Sequence, residues 1–196
     1  VSLLEHLGIE KAHIVGASMG GMITQVIGLD HPNKALSLTP IMSTPGAGLE
    51  DENLSPPTES LMSGMMKSME HNMKGEYLDG LVCIYRELIG SRYPFDEEKF
   101  REGAKEIMDH GHNPFPGHGA AVSSSPHRKD RLKEINLPTL VIHGTEDAIL
   151  PFDHGQALAN GIPNAQMMVL EGVGHEIPQQ MTEEITSRLI EHFNSI

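Results

Sequence analysis

Short apolar runs alternate with stretches of helical periodicity in the first and last parts of this chain. A run of about four to eight apolar residues is typical of a strand in a parallel sheet, whereas apolar residues three and four positions apart are typical of a helix. The pattern predicts strands at residues 12–15, 35–42, 137–143 and 166–170, and helices at residues 22–29, 152–162 and 183–193. Because strands and helices alternate over short turns, we predict a parallel sheet that is covered by helices on both faces.

The middle of the chain has a different pattern, without strand signals. Residues 43–57 are rich in Gly, Pro, Ser and Thr, which favours a loop, and the stretches that follow have helical periodicity. We therefore predict an α/β core formed by residues 1–43 and 136–196, with a helical cap inserted at residues 44–135.

A methionine stripe marks the first predicted helix of this cap. Spacings of three, one, three and four place its side chains on one helix face, and its members are Met62, Met65, Met66, Met69 and Met73. We expect this face to pack against its neighbours. Its thioethers could also form an adaptable apolar wall over a substrate pocket.

A glycine-rich turn separates the first predicted strand from the helix after it. Residues 16–20 match the motif G-x-S-x-G in the strand–turn–helix context that this motif requires. A serine nucleophile stands on such a sharp turn, and the flanking Gly16 and Gly20 remove side chains that would clash there. The turn therefore predicts Ser18 as the nucleophile and the backbone N–H of Met19 as one donor of an oxyanion hole at the helix N-terminus. A plain glycine-rich turn is the alternative.

Two further residues extend this pattern at the ends of later strands. Asp147 follows the third predicted strand, and His175 follows the fourth in a loop that contains glycine. The carboxyl ends of parallel strands meet at one edge of a sheet, where ligands and catalysis gather. We therefore expect Ser18 to attack, His175 to take and return the proton, and Asp147 to hold the imidazole. Glu146 is the rival for the role of the acid.

These motifs resemble the signatures of the α/β-hydrolase superfamily, and more closely those of aclacinomycin methylesterase-like hydrolases. The resemblance rests on residues 16–21, 31–32, 36–39, 138–147 and 172–178 and spans almost the whole chain. It implies an α/β-hydrolase fold with a cap and a catalytic triad in the order Ser, Asp, His. The turn at residues 144–147 resembles the strand-end G-x-x-D of this fold, which favours Asp147 over Glu146.

The chain also departs from the pattern of that superfamily. Such enzymes usually have four strands ahead of the nucleophile strand, and a loop after the third of these supplies a second oxyanion donor. This chain starts at Val1, and residues 2–8 have the pattern of the end of a helix. We expect an N-terminally truncated form of the fold, with half of the oxyanion hole and poor activity on its own.

Charge and cysteine content exclude several other classes. The net charge of −13 offers no basic patch for nucleic acid and disfavours an anionic membrane surface. No apolar run reaches the length of about 18 residues that a membrane-spanning helix needs. Cys83 is the single cysteine and cannot form an intrachain disulfide, so we expect a cytoplasmic protein in which this thiol is buried in a helix.

Neither a metal nor an organic cofactor is expected. His110, His112 and His118, with Asp109 nearby, match no zinc-ligand spacing and belong to a stretch rich in Gly and Pro. The turn at residues 16–21 lacks both the dinucleotide-binding spacing and the Lys-Ser/Thr pair of a phosphate loop. His143 ends a predicted buried strand, where we expect a structural role.

The sequence thus favours a serine hydrolase that cleaves a carboxylic ester through an acyl-serine intermediate. Its expected partner is a small-molecule substrate, most simply an apolar ester, and a homo-oligomer remains open. Hydrolysis of a carbon–carbon bond, hydrolysis of a lactone and a non-catalytic hydrolase scaffold are the alternatives. A serine at the nucleophile turn disfavours epoxide hydrolases and haloalkane dehalogenases, which use an aspartate there.

Overall fold

The computed structural model describes residues 1–46, 54–110 and 118–196. The strands are β1 (Ala12–Ala17), β2 (Ala35–Ile41), β3 (Leu140–Gly144) and β4 (Gln166–Leu170). The helices are α1 (Ser2–His6), α2 (Met19–Asp30), α3 (Glu59–Met73), α4 (Tyr77–Leu88), α5 (Glu97–Asp109), α6 (His118–Ser123), α7 (Phe152–Gly161) and α8 (Thr182–Asn194). Short 3₁₀ turns cover Pro32–Lys34, Lys129–Glu134 and Gln179–Met181.

The four strands form one parallel sheet in the order β1-β2-β3-β4. Ala17 at the end of β1 pairs with Ile41, and Gly144 at the end of β3 pairs with Leu170. The carboxyl ends of neighbouring strands therefore lie together, as a parallel sheet requires. All four predicted strands and the predicted cover of helices are confirmed.

The core lies on both faces of β3. Leu140 and Ile142 pack on one face with Ile185 of α8, whereas Val141 packs on the other with Leu158 of α7. All three strand residues are essentially fully buried. Full burial of such a side chain contributes about 1.5–3 kcal/mol. The packing of β3 on both faces therefore contributes strongly to the stability of the sheet.

Helices fill the segment between β2 and β3. Within residues 54–110 and 118–135 the structure contains no strand, in agreement with a helical insertion. Leu61 of α3 and Leu88 of α4 are buried with Ala148, which lies beside Asp147 in the core. The exact division into a core and a cap at residues 44–135 stays a prediction.

The expectation that the methionine face of α3 packs against neighbouring elements is wrong. Its side chains point to solvent, with exposed fractions from 48% for Met65 to 84% for Met73. Helix α3 instead packs against α4 through Gly64 and Ser68, and a Cβ on Gly64 would touch the backbone oxygen of Cys83 at 3.0 Å. Both faces of α3 have helical spacing, but the small residues allow the closer helix–helix approach.

Cys83 is also less buried than expected, because its side chain on α4 is partly exposed. None of the helices in the described ranges is both long and apolar enough to cross a membrane.

The turn between β1 and α2 depends on two glycines, one of which the sequence analysis did not identify. A Cβ on Gly16 would overlap the backbone oxygen of Gly20, and a Cβ on Gly21 would overlap the side chain of Ser43. A Cβ on Gly20 would meet no described atom within 4 Å. The expected steric role is therefore confirmed for Gly16, is wrong for Gly20 within the described residues, and belongs to Gly21 as well.

These contacts predict opposite effects for two alanine substitutions in the same turn. Gly16→Ala should lower the free energy of unfolding by about 1–3 kcal/mol or more, because backbone atoms must move apart. Gly20→Ala should leave it unchanged or raise it by up to about 1 kcal/mol, through helix propensity. Urea unfolding followed by circular dichroism measures both values, and equal losses in the two variants would contradict this description of the turn.

Candidate active site

Ser18 occupies a strained turn at the carboxyl end of β1. Its backbone angles are φ 54° and ψ −116°, a positive φ that a residue with a side chain rarely adopts. Neighbouring groups hold this conformation: the Ser18 N–H donates to the backbone oxygen of Ile41 at 2.9 Å, and the hydroxyl of Ser43 donates to the Ser18 oxygen at 2.9 Å. The end of β2 thus positions the nucleophile candidate.

The Ser18 hydroxyl is not used to cap the helix that follows it. A serine before the first helical residue usually accepts a hydrogen bond from an N–H in the first turn, but Ser18 makes no such side-chain bond to α2. Met19 is the first residue of α2, so its N–H has no acceptor within the helix. The hydroxyl of Ser18 and the N–H of Met19 therefore both lack a partner within α2.

Asp147 and His175 are in direct contact. The ring Nδ1 of His175 donates to Oδ2 of Asp147 at 2.7 Å. The other carboxylate oxygen accepts the backbone N–H groups of Ile149 at 3.0 Å and Leu150 at 2.8 Å. Asp147 is only 2% exposed, and these bonds satisfy a carboxylate that burial would otherwise penalise. With Nδ1–H given to the carboxylate, Nε2 is the ring nitrogen that can accept a proton.

Glu146, the rival acid, has a different partner. Its two carboxylate oxygens accept the N–H and the hydroxyl of Ser91, each at 2.7 Å. The structure therefore brings Asp147, and not Glu146, against His175. Among the hydrogen bonds formed by the described residues, none joins the Ser18 hydroxyl to His175. Such catalytic contacts often tighten only when substrate is bound.

His143 supports the loop that carries the acid. Its ring Nε2 donates to the backbone oxygen of Leu150 at 2.8 Å and lies 3.5 Å from Oδ2 of Asp147. Burial lowers the pKa of His143, which favours the neutral ring beside Asp147. The strand-end position indicated a structural residue, but this contact with the acid loop had no sequence signal.

An apolar cavity of about 160 Å³ lies at the same edge of the sheet. Its walls include Met22, one turn after Ser18, and Ile149 and Leu150, whose N–H groups bind Asp147. Val122 of α6 closes it from the predicted cap. A larger cavity of about 340 Å³ is lined by Asn136, Gln166 and residues of the C-terminus, at the amino ends of β3 and β4. Ser18, Asp147 and His175 do not line the smaller cavity, but it lies beside them at the carboxyl ends of the strands, where ligands bind in parallel sheets.

The candidate metal residues of the sequence analysis do not form a described site. Residue 112 and the side chain of residue 118 lie outside the described residues, and His110 bonds to the backbone oxygen of Glu106 at 2.7 Å. A different group, His71, Glu76 and Asp79, has potential ligand atoms within 4.8 Å of one another. His71 contacts Glu76 at 2.8 Å and Arg101 binds Asp79 at 2.7 Å, so this is an exposed set of ion pairs.

Comparisons with known proteins agree with this architecture. A family model for the alpha/beta hydrolase fold matches residues 2–178. A rhodomycin D methylesterase of Streptomyces peucetius is 28% identical, over 98% of this chain and 70% of its own. A 2-hydroxy-6-oxononadienedioate/2-hydroxy-6-oxononatrienedioate hydrolase of Paraburkholderia phymatum is 28% identical, over 96% of this chain and 64% of its own.

Solved structures show the same fold. An esterase from Exiguobacterium antarcticum superposes with a TM-score of 0.74 at 19% identity, over 98% of this chain and 70% of its own. At this identity the similarity shows the fold alone. Est816, an N-acyl homoserine lactone degrading enzyme, superposes with a TM-score of 0.67 at 26% identity, over 97% of this chain and 70% of its own. This chain is accordingly a hydrolase that belongs to the α/β-hydrolase family.

Proposed function

We propose that this chain is a serine hydrolase that cleaves a carboxylic ester through an acyl-serine intermediate. The observation that carries the proposal is the 2.7 Å hydrogen bond from His175 to the buried Asp147, at the edge of the sheet where the strained Ser18 stands. An imidazole that is held by a carboxylate has the tautomer that a general base needs.

The proposed reaction has two halves. The Ser18 oxygen attacks the ester carbonyl while Nε2 of His175 takes the hydroxyl proton, and Asp147 stabilises the resulting imidazolium. The N–H of Met19 donates to the oxygen that becomes negative. The attack forms a tetrahedral intermediate. When it collapses, the bond to the alcohol breaks, the alcohol leaves with the proton from His175, and acyl-Ser18 remains. A water molecule, activated by the same ring nitrogen, then releases the acid and regenerates the serine.

The cavity supports an apolar substrate group. An apolar protein cavity of about 150 Å³ accepts a molecule as large as benzene, and the cavity beside Met22 and Leu150 has a similar volume, about 160 Å³. We therefore propose a small-molecule ester with an apolar acyl or alcohol part. The cytoplasmic location and a possible homo-oligomer stay predictions.

Carbon–carbon bond hydrolysis is the second candidate, because the relative from Paraburkholderia phymatum is named for cleavage of a dienedioate or trienedioate. The mostly apolar walls of the cavity favour the ester over a substrate with two carboxylates. A panel of p-nitrophenyl esters, a lactone and a ring-cleavage dienoate separates these activities, and a non-catalytic scaffold would hydrolyse none of them.

The first prediction from the proposed function concerns the nucleophile. Ser18→Ala should reduce p-nitrophenyl butyrate turnover by several orders of magnitude, since a disabled triad retains only about 10³–10⁴-fold catalysis over water. Turnover is measured per folded molecule, with circular dichroism giving the folded fraction. Ser187→Ala on the exposed surface of α8 is the matched control and should behave as the wild type. Ordinary turnover in a folded Ser18→Ala protein would refute the proposal.

A second prediction ranks the two neighbouring acids. Asp147→Asn should lower kcat by about 10⁴-fold, because the ring of His175 then rests in the wrong tautomer. Glu146→Gln should cost at most about tenfold, the order of one hydrogen bond, since its carboxylate binds Ser91 instead. The same ester assay measures both losses. A larger loss for Glu146→Gln would show that the acid has been misassigned.

A further inference from the structure

The residues just after α4 touch both loops that carry the proposed acid and base. The backbone oxygen of Leu88, the last residue of α4, accepts the N–H of His175 at 2.7 Å. Four residues later, the N–H of Arg92 donates to the backbone oxygen of Gly172 at 2.8 Å. We call residues 90–92 the α4 loop. It links the helical segment directly to the loop that carries His175.

Two glutamates lie close to the α4 loop. Glu146 accepts the N–H and the hydroxyl of Ser91, each at 2.7 Å. The carboxyl group of Glu176 lies near the backbone N–H of Gly90, which favours its charged form. One of these glutamates immediately precedes Asp147 in the chain, and the other immediately follows His175. Each member of the Asp–His pair therefore has a neighbouring glutamate close to the same three-residue loop, and Glu146 binds that loop through Ser91.

The backbone of the α4 loop packs tightly against the backbone of the loop that carries His175. A Cβ on Gly174 would overlap the backbone oxygen of Leu88, and a Cβ on Gly90 would overlap that of Gly172. The backbones of the α4 loop and the His175 loop thus lie directly against each other. A shift of the α4 loop must move the backbone next to His175, because well-packed segments transmit displacement.

We propose that Glu146 is a positioning residue, which fastens the α4 loop to the Asp147 loop and so fixes the geometry of the Asp147–His175 hydrogen bond. This inference rests on the proposed function. It gives Glu146 a part in the reaction without contact to substrate, because it acts through Ser91 and the backbone.

The competing interpretation is that Glu146 only tethers a surface loop. Glu146 and Ser91 are both exposed, so a tether would affect the stability of the folded protein and nothing else. A positioning role has a different consequence: it lowers kcat per folded molecule, leaves KM nearly unchanged and alters the environment of the His175 ring.

The experiment compares Glu146→Ala, which removes both acceptors, with Ser91→Ala, which removes one donor, and with Ser91→Thr, which keeps both. Glu146→Ala should lower kcat for p-nitrophenyl butyrate by about tenfold and Ser91→Ala by about threefold, the order expected for hydrogen bonds of this kind, with KM changed less than about twofold. Ser91→Thr should restore activity to within about twofold of the wild type. The double variant with Glu146→Ala and Ser91→Ala should lose no more kcat than Glu146→Ala alone, because both substitutions remove the same contact. Glu102→Gln, an exposed glutamate of α5, is the control for loss of charge.

Proton NMR supplies a readout that does not depend on turnover. The Nδ1–H proton of His175 should give a low-field resonance in the wild type and in Ser91→Thr, and this resonance should broaden or vanish in Glu146→Ala as the bond to Asp147 loosens. An unchanged resonance and unchanged kcat in Glu146→Ala, with only a lower thermal midpoint, would overturn the positioning role. An inactive wild type that still shows the Glu146-dependent resonance would contradict the proposed function and leave the positioning role standing.

Discussion

The hydrogen bond between Asp147 and His175 joins the end of β3 to the end of β4, and the chemistry proposed for this edge of the sheet depends on it. A carboxylate as buried as that of Asp147 is stable only when its oxygens are satisfied. Two backbone N–H groups and the imidazole of His175 donate to these oxygens. The ring of His143, whose pKa is lowered by burial, lies beside the carboxylate. The parallel sheet makes this possible, because it brings both loops to one edge.

The same edge stores strain at Ser18. A serine at φ 54° persists only where its surroundings hold it, and here β2 and Ser43 bond to its N–H and its backbone oxygen. The helical segment contacts the loops that carry Asp147 and His175 through Leu88 and the α4 loop. The turn at Ser18 is thus held by the core, whereas the Asp147 and His175 loops contact both the core and the helical segment.

Much of this arrangement could be predicted from the sequence. Short apolar runs identified the four strands, and the G-x-S-x-G turn with Asp147 and His175 at later strand ends indicated the candidate site. Periodicity could not decide which face of α3 packs, because Gly64 and Ser68 have the same spacing as the methionines. It also could not reveal that Gly21 rather than Gly20 faces Ser43, or that Glu146 binds Ser91. These features depend on contacts between distant segments.

The most direct test of the account is to locate the serine that reacts with a fluorophosphonate. The folded 196-residue chain is labelled, digested and analysed by peptide mass spectrometry, beside a His175→Ala variant. The account predicts one adduct, on the peptide that contains Ser18, and loss of that adduct when His175 is removed, because an unassisted serine hydroxyl is a weak nucleophile. An adduct on a different serine, or equal labelling of Ser18 without His175, would contradict it.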